Sequence, residues 1–367
     1  MYSIKVDNEL IFAPPVVNDG YIAFDATVTM ELNKVDSSEF TIPVTGRGYD
    51  RINKLSSVIT VWDDNEKIFH GRCIDVTEDF YKNRKFNCEG ALGYLNDSVL
   101  RPYSFKDGGT QGVTDTPGNI FRFYIEQHNN VVDANKRFVV GDISSMQGEQ
   151  LVRESSQYPS TLDELEDKLI ENYGGYVIPR YVGESIYLDY MATSGGNNGQ
   201  VIQFGKNLLE LEQFMDASEV KTIIIPLGAT VQGTEQRLTI KTVNGGRDYL
   251  ESSTGIAMFG RIETCEGWDD ITDANNLKTA GQARLNDLIA EATTLNLSAI
   301  DLSLLDVQVD KLRLGEYNRV LSVPHNLDGM FQCSRMVLNL GNPQQNQYTF
   351  GNPRPTLTDS INRFRLS

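Results

Sequence analysis

Only three histidines, His70, His128 and His325, stand among the 367 residues, so any histidine-based site is a short search. They form no HExxH, HxH or ExxH arrangement, which leaves a zinc hydrolase without its ligands. His128 falls at the expected end of a helix, where a cation suits the dipole. His325 follows Val323-Pro324 in a strand-to-turn link, and His70 adjoins an aromatic. Cysteine catalysis requires a Cys–His pair. Cys73 is near His70 in sequence, but three residues apart on a strand they point to opposite faces. Cys88, Cys265 and Cys333 are scattered, no CxxC pair exists, and all four thiols read as reduced and packed as small hydrophobes. GxSxG and the phosphate loops GxxxxGKS and GxxxxGKT are absent. The pairs Asp63-Asp64 and Asp269-Asp270 could serve a glycosidase, which needs only two carboxylates. Fifty acids guarantee such pairs, however, and turns select Asp. Asp269-Asp270-x-x-Asp273 reads as a turn running into a helix cap. The aromatics follow strand and helix periods, so they belong to a core before they form a stacking platform. The sequence predicts no catalytic, cofactor-binding or metal-ligating residue.

The elements around these residues are mostly strands. Phe69–Val76 and Lys85–Cys88 read as a long hairpin with a polar tip of Glu78, Asp79, Lys82, Asn83 and Arg84. The pattern returns near the C-terminus. An offset of 262 (Val58 to Val320) superposes Arg51 on Arg313, Val61 on Val323, Phe69 on Phe331 and Phe86 on Tyr348. A duplicated β unit is expected. Earlier strands are read around Ile4 and Val6, Tyr21–Leu32, Phe40–Val44 and Val58–Trp62, with a short helical turn over Tyr49–Leu55. These make an all-β unit, residues 1–103.

Composition shifts after Tyr103. Lys106–Gly109 and Thr114–Pro117 are loop signals, and Thr116 with Pro117 also starts a helix that buries Ile120, Phe121, Tyr124, Ile125 and His128. A second helix begins at Ser160 or Thr161, with Asp163 or Glu164 completing a capping box, and ends at Gly174 or Gly175. Strands Tyr176–Tyr181 and Ser185–Met191 complete an α+β insertion, 104–200. Further strands are expected at Val201–Phe204, Glu219–Leu227, Arg237–Lys241, Ile256–Ile262 and Asp301–Leu305. A third helix runs from Asp273 to about Thr294. The expected fold is α+β, mainly β: two similar antiparallel β-barrels, 1–103 and 201–232 plus 294–367, with smaller insertions at 104–200 and 233–293.

The chain carries 50 acidic against 33 basic residues, a net charge of −17. That balance argues against a DNA-gripping groove, which neutralises phosphates with Lys and Arg. It suits plain solubility, or a surface past which DNA slides without sticking. No run reaches the roughly 18 apolar residues of a membrane span, and the N-terminus lacks the pattern of a signal peptide.

The order of several short motifs resembles a known family. They are Phe40–Pro43, Val61–Asp63, Ile68-Phe69-His70-Gly71-Arg72, Cys88–Asp97, His128-Asn129, Gly174–Tyr176, Phe204–Leu208, Ile225–Ala229 and Val323–His325. Together they resemble the tail-associated lysin (Tal) family of long-tailed phages and prophages of Gram-positive hosts, whose shared part is called a prophage endopeptidase tail protein. That family is similar to the central hub of contractile-tailed phage baseplates. The resemblance implies a homotrimer whose two barrels per chain give six near-identical units. It implies a ring that continues or closes the tail tube and passes DNA without specific binding. The expected partners are the distal tail protein, the tape measure and tail-tip or fibre proteins. The expected location is the virion tail tip, after synthesis in the host cytoplasm. Family members with lytic activity carry it in a C-terminal extension, and this chain stops at Ser367, so no hydrolase activity and no cofactor are expected. The alternatives are a fragment of a cell-wall-degrading endopeptidase and a host-surface binding module.

Overall fold

The computed structural model describes the chain except residues 14–20, 106–115, 145–153, 156, 215–219, 232, 234, 270, 291–293, 305–307, 326 and 352–367. The expected loops at Lys106–Gly109 and Thr114-Asp115, and a short C-terminal helix suggested by Leu357–Phe364, lie outside the described residues.

The first third alternates as half-buried strands do. It forms β1 (Tyr2–Val6), β2 (Glu9–Phe12), β3 (Phe24–Glu31), β4 (Ser37–Ile42), β5 (Val58–Asp63), β6 (Glu66–Glu78) and β7 (Arg84–Gly90). Tyr49–Leu55 forms hydrogen-bonded turns rather than the expected helical turn. The middle contains β8 (Tyr103–Ser104), α1 (Pro117–Asn129), β9 (Phe138–Ile143), β10 (Glu154–Ser155), α2 (Thr161–Leu165), α3 (Glu171–Tyr173), β11 (Tyr176–Val182) and β12 (Ser185–Met191). Thr116 caps α1, its side chain accepting from the Asn119 N–H, with Pro117 at the first position. The Ser160 hydroxyl accepts from the Asp163 N–H at 3.1 Å to start α2. Turns of π type over Glu166–Ile170 join α2 to α3, which ends at Gly174 with φ of 66°.

The remainder comprises β13 (Ile202–Gln203), β14 (Leu208–Phe214), β15 (Ile223–Thr230), β16 (Arg237–Thr239), β17 (Leu250–Glu251), α4 (Ser253–Phe259), β18 (Glu263–Gly267) and α5 (Ala274–Ala290). Then follow β19 (Thr294–Ala299), β20 (Tyr317–Ser322), β21 (Leu327–Asn339) and β22 (Gln347–Gly351). Asp273 caps α5 as expected, accepting from the N–H groups of Asn275 and Asn276. Most of the expected strand Ile256–Ile262 is helix α4: Ser252 accepts from the Gly255 N–H, and Gly260 (φ 81°) stops the helix before β18. The capping serine outweighs the apolar alternation there. The expected strand Asp301–Leu305 is instead a 3-10 turn over Leu302–Leu304, because the Asp301 side chain accepts from the N–H groups of Ser303 and Leu312.

The fold is mainly β, with antiparallel pairing dominant. One 13-stranded sheet runs β14-β19-β22-β21-β3-β4-β7-β6-β5-β1-β2, with β20 and β13 attached through β21. The described pairings leave this path open at β14 and β2 and close neither half into a ring. A single core, including Ile4, Phe40, Phe86, Leu297, Val320 and Phe350, underlies both halves. A second core joins Leu95, Phe121, Tyr124, Leu169, Leu188 and Tyr190, and a third joins α5 to β15 and β17 through Leu277, Leu285, Ile224 and Leu250.

The two halves repeat one another. β7-β6-β5 and β22-β21-β20 share strand order, and both long strands carry a bulge in the same place, between Cys73 and Asp75 and between Cys333 and Arg335. The Cys73 carbonyl accepts from the Leu55 N–H at 2.8 Å, and the Cys333 carbonyl accepts from the Gly315 N–H at 2.7 Å. Leu55 and Gly315 both have positive φ, 63° and 84°. The true offset is therefore 260 along the long strand (Cys73 to Cys333), and 259 where β5 and β20 pair with it, Val61 facing Phe69 as Val320 faces Gly329. It becomes 262 only in the final strand, where Cys88 and Phe350 face Cys73 and Cys333. Of the sequence matches, Phe86 with Tyr348 survives. Val61 is fully buried whereas Val323 is 82% exposed, so that pair is not equivalent.

Candidate functional site

His70, His128 and Cys73 all lie in the interior. His128 is fully buried; burial pushes its pKa down, so it is neutral and does not act as the expected cation at a helix end. Its Nε2 donates to the Lys136 carbonyl at 3.1 Å, which leaves Nδ1 to accept from the Ser98 hydroxyl at 2.7 Å. Ser98 in turn accepts from the Thr161 hydroxyl at 2.6 Å. This serine–histidine pair ties α1 and α2 to the segment after β7, and burial shuts it off from any substrate. Ser322 and His325 make a second pair, 2.5 Å apart, within one local turn. Cys73 and His70 do go opposite ways. Cys73 faces the common core across from Cys88, and that contact lowers its pKa while raising that of Cys88. The His70 ring packs on Tyr94 and Tyr181. Cys265 is exposed, unlike the other three. Among the described residues no group of His, Cys, Asp and Glu could hold a metal. Asp63, one of the suspect acids, forms an ion pair with Lys311, and Asp269 pairs with Arg237.

What the sequence does assemble is a set of joints. The first is the seam between the repeats, β3 against β21, in the register Arg335↔Glu31, Met336↔Met30, Val337↔Thr29, Leu338↔Val28 and Asn339↔Thr27. The Leu32 N–H extends it onto the Ser334 carbonyl at 3.1 Å, and the Leu340 N–H onto the Ala26 carbonyl at 2.8 Å. Arg335 and Glu31 pair at 3.4 Å across it. Lys311 with Asp63, and Arg313 with Glu66 at 2.6 Å, clasp the repeats a second time.

The second joint holds the insertion. Gly71 lets β6 and β7 approach so closely that a Cβ there would lie 2.0 Å from the Glu89 carbonyl oxygen. Arg72, with a side chain 8% exposed, then reaches Glu89 at 2.6 Å and both oxygens of Asp97 at 2.5 and 2.8 Å. Lys136 adds a bond to Asp97 at 2.8 Å. Burial alone would raise Asp97, but these two cations hold its carboxyl below the usual range.

A cleft of about 400 Å³ opens where the two repeats and the insertion meet, lined among others by Asp36, Ile68, Tyr181, Ser194, Arg313 and Met336. Beside it, burial and then the Lys67 charge push the His70 pKa down to about 4. Burial pushes Asp36 up to about 7, against a lowering hydrogen bond from the backbone of Glu31. Both groups are therefore uncharged near pH 6. Nothing in the sequence marks this junction, because it draws together groups of both repeats and the insertion, such as Asp36, Tyr181 and Arg313.

Solved structures share the fold of nearly the whole chain. Prophage tail protein gp18 from Listeria monocytogenes EGD-e superposes with a TM-score of 0.61 at 14% identity, covering 93% of this chain and 92% of that one. The 43 kDa tail protein of prophage MuSo2 from Shewanella oneidensis gives 0.66 at 10% identity, covering 95% and 96%. The E. coli protein c3393, a type VI secretion system component described as structurally similar to the T4 bacteriophage tail proteins gp27 and gp5, gives 0.50 at 9% identity, covering 96% and 79%. The architecture is that of prophage tail proteins. In sequence, residues 196–361 match the family model for the prophage endopeptidase tail. A comparison with curated proteins gives no match.

Proposed function

We propose that the chain is a structural subunit of a phage tail tip, a hub in which three copies form a ring that continues or closes the tail tube. The observation that carries this reading is the internal duplication: two equivalent β units, joined edge to edge, give a three-copy ring six similar units. Such a ring matches a sixfold tube on one side and a threefold tip on the other. In this reading each half, 1–103 and 201–232 plus 294–367, curls into a barrel-like unit, with 104–200 and 233–293 as insertions on its outside. DNA passes through the lumen, and the excess of acids keeps it from sticking. Distal tail, tape-measure and fibre proteins bind the two faces. In this reading the chain has no hydrolase activity of its own, since the Ser98–His128 pair is buried between helices and Cys73 and His70 face opposite ways.

Two measurements test this. Immunogold labelling of intact tails with an antibody to the chain is expected to mark the distal tip; label along the shaft or on the capsid sinks the hub. The purified chain is expected to release no fragments from peptidoglycan, and measurable cleavage would revive the endopeptidase reading.

A further inference from the structure

β6 and β7 set Cys73 directly opposite Cys88. The Cys73 carbonyl turns away from β7, toward the β5 side, where it accepts from the Leu55 N–H at 2.8 Å. The two cysteines are therefore a non-hydrogen-bonded pair, the class of opposed residues whose Cα atoms approach to about 4.5 Å. Disulfides span Cα separations of roughly 4.4–6.8 Å, so the pair sits within reach of a bond. Both side chains are buried and face the common core. Contact between the thiols lowers the pKa of Cys73 and, with burial, raises that of Cys88, so charge gathers on Cys73 first. The second repeat supplies a comparison within the chain. Phe350 stands opposite Cys333, which holds the place of Cys73 without a thiol to join.

We infer that Cys73 and Cys88 join in a disulfide when a peroxide reaches them, stapling the long hairpin at its root. The Cys73 thiolate attacks one peroxide oxygen, the O–O bond breaks, and Cys73 becomes a sulfenic acid as hydroxide leaves and is protonated to water. Cys88 then attacks the Cys73 sulfur, the S–O bond breaks, and the Cys88 proton leaves with the hydroxyl as a second water. Two thiols and one hydrogen peroxide thus give one disulfide and two waters, with two electrons passing from the sulfurs to the peroxide. Access runs through the bulge after Cys73. Ile74 there is 44% exposed, so the pair lies one residue beneath solvent and within reach of an oxidant little larger than water. The bond closes a loop over residues 74–87, whose tip carries Phe80 and Tyr81, exposed and packed edge to face. The staple stands on strand register alone. That it forms once a particle has left the reducing interior of the host rests on the tail reading.

The test uses the full chain with Cys265→Ser, which removes the exposed thiol and leaves Cys73, Cys88 and Cys333. The folded chain is treated with dilute hydrogen peroxide, unfolded in an alkylating agent and cut with trypsin, which cleaves between the pair at Lys82, Arg84 and Lys85. The Cys73 and Cys88 peptides are expected to arrive joined, while Cys333 is alkylated. At the urea midpoint of the reduced chain, the joined chain is expected to be roughly a hundredfold less unfolded, as closing a loop of about fifteen residues implies, and a reductant reverses the gain. Cys88→Ala is expected to stop at the sulfenic acid, which dimedone captures on Cys73. Thiols that stay free after peroxide, or pass to sulfinic acid without joining, overturn the staple. So does a joined pair obtained only when peroxide is given to the urea-unfolded chain. A pair that joins in the purified chain but stays free in tails collected from lysed hosts keeps the staple and removes its timing. Immunogold label away from the tip removes the tail reading and leaves the staple standing.

Discussion

Asp36 and His70 sit on either side of the same junction with opposite pH signatures. The folded chain holds the Asp36 proton to about pH 7, against an ordinary value of 3.8. Between those values the folded state binds more protons than the unfolded, so stability from Asp36 falls as pH rises, by at most about 1.4 kcal/mol per pH unit. His70 titrates at about 4 when folded, against 6.5 when unfolded. The unfolded state binds more protons there, so stability from His70 is present above about 6.5 and is lost as pH falls. The two slopes oppose one another from about pH 4 to 6.5. Asp36→Asn is therefore expected to match the wild type near pH 4 and to exceed it in stability at pH 8, as read from urea unfolding at both pH values. Arg72 offers a test without pH. Replacing it with Leu leaves Glu89 and Asp97 facing a partly buried gap, and a loss of about 3 kcal/mol is expected in the same assay. Neither junction residue was visible in the sequence, since burial of a lone Asp or His leaves no periodic mark. The helix caps at Thr116, Ser160 and Asp273 were visible, because a cap is a local bond between residues two or three apart.

At the level of elements, the long hairpin was legible from its alternation and polar tip, and its duplication from apolar spacing. The register was not. The second tip is two residues longer than the first, so a gapless match weighted by residue identity aligned the last strand and misaligned the two before it. Hydrogen-bonded landmarks correct it, and Leu55 with Gly315 is the clearest. Leu55 adopts a left-handed φ of 63° while 54% exposed, so its side chain gains little burial in return for the strain. Leu55→Gly is expected to stabilise the chain by about 0.5–1 kcal/mol in thermal unfolding. At the mate, Gly315→Ala is expected to destabilise by more, because a Cβ there would meet Ser194 Cβ at 2.8 Å in an already left-handed conformation.

For the whole molecule, the first quantity to measure is mass in solution by light scattering. A value near three times 41.1 kDa is expected at high concentration, falling toward one chain on dilution; a stable dimer would contradict the threefold ring. The sequence could not indicate how copies meet, because strand edges join through main-chain groups that every residue carries. One consequence reaches past infection. A ring built head to tail from identical chains is a polymer whose fate is set by pitch: a flat repeat closes, and a slightly tilted one winds into a fibre. The tilt within each chain is fixed where β21 crosses onto β3, at Arg335 and Glu31. A substitution buried inside that intrachain seam would then surface as filaments, a defect of assembly with its cause in the fold.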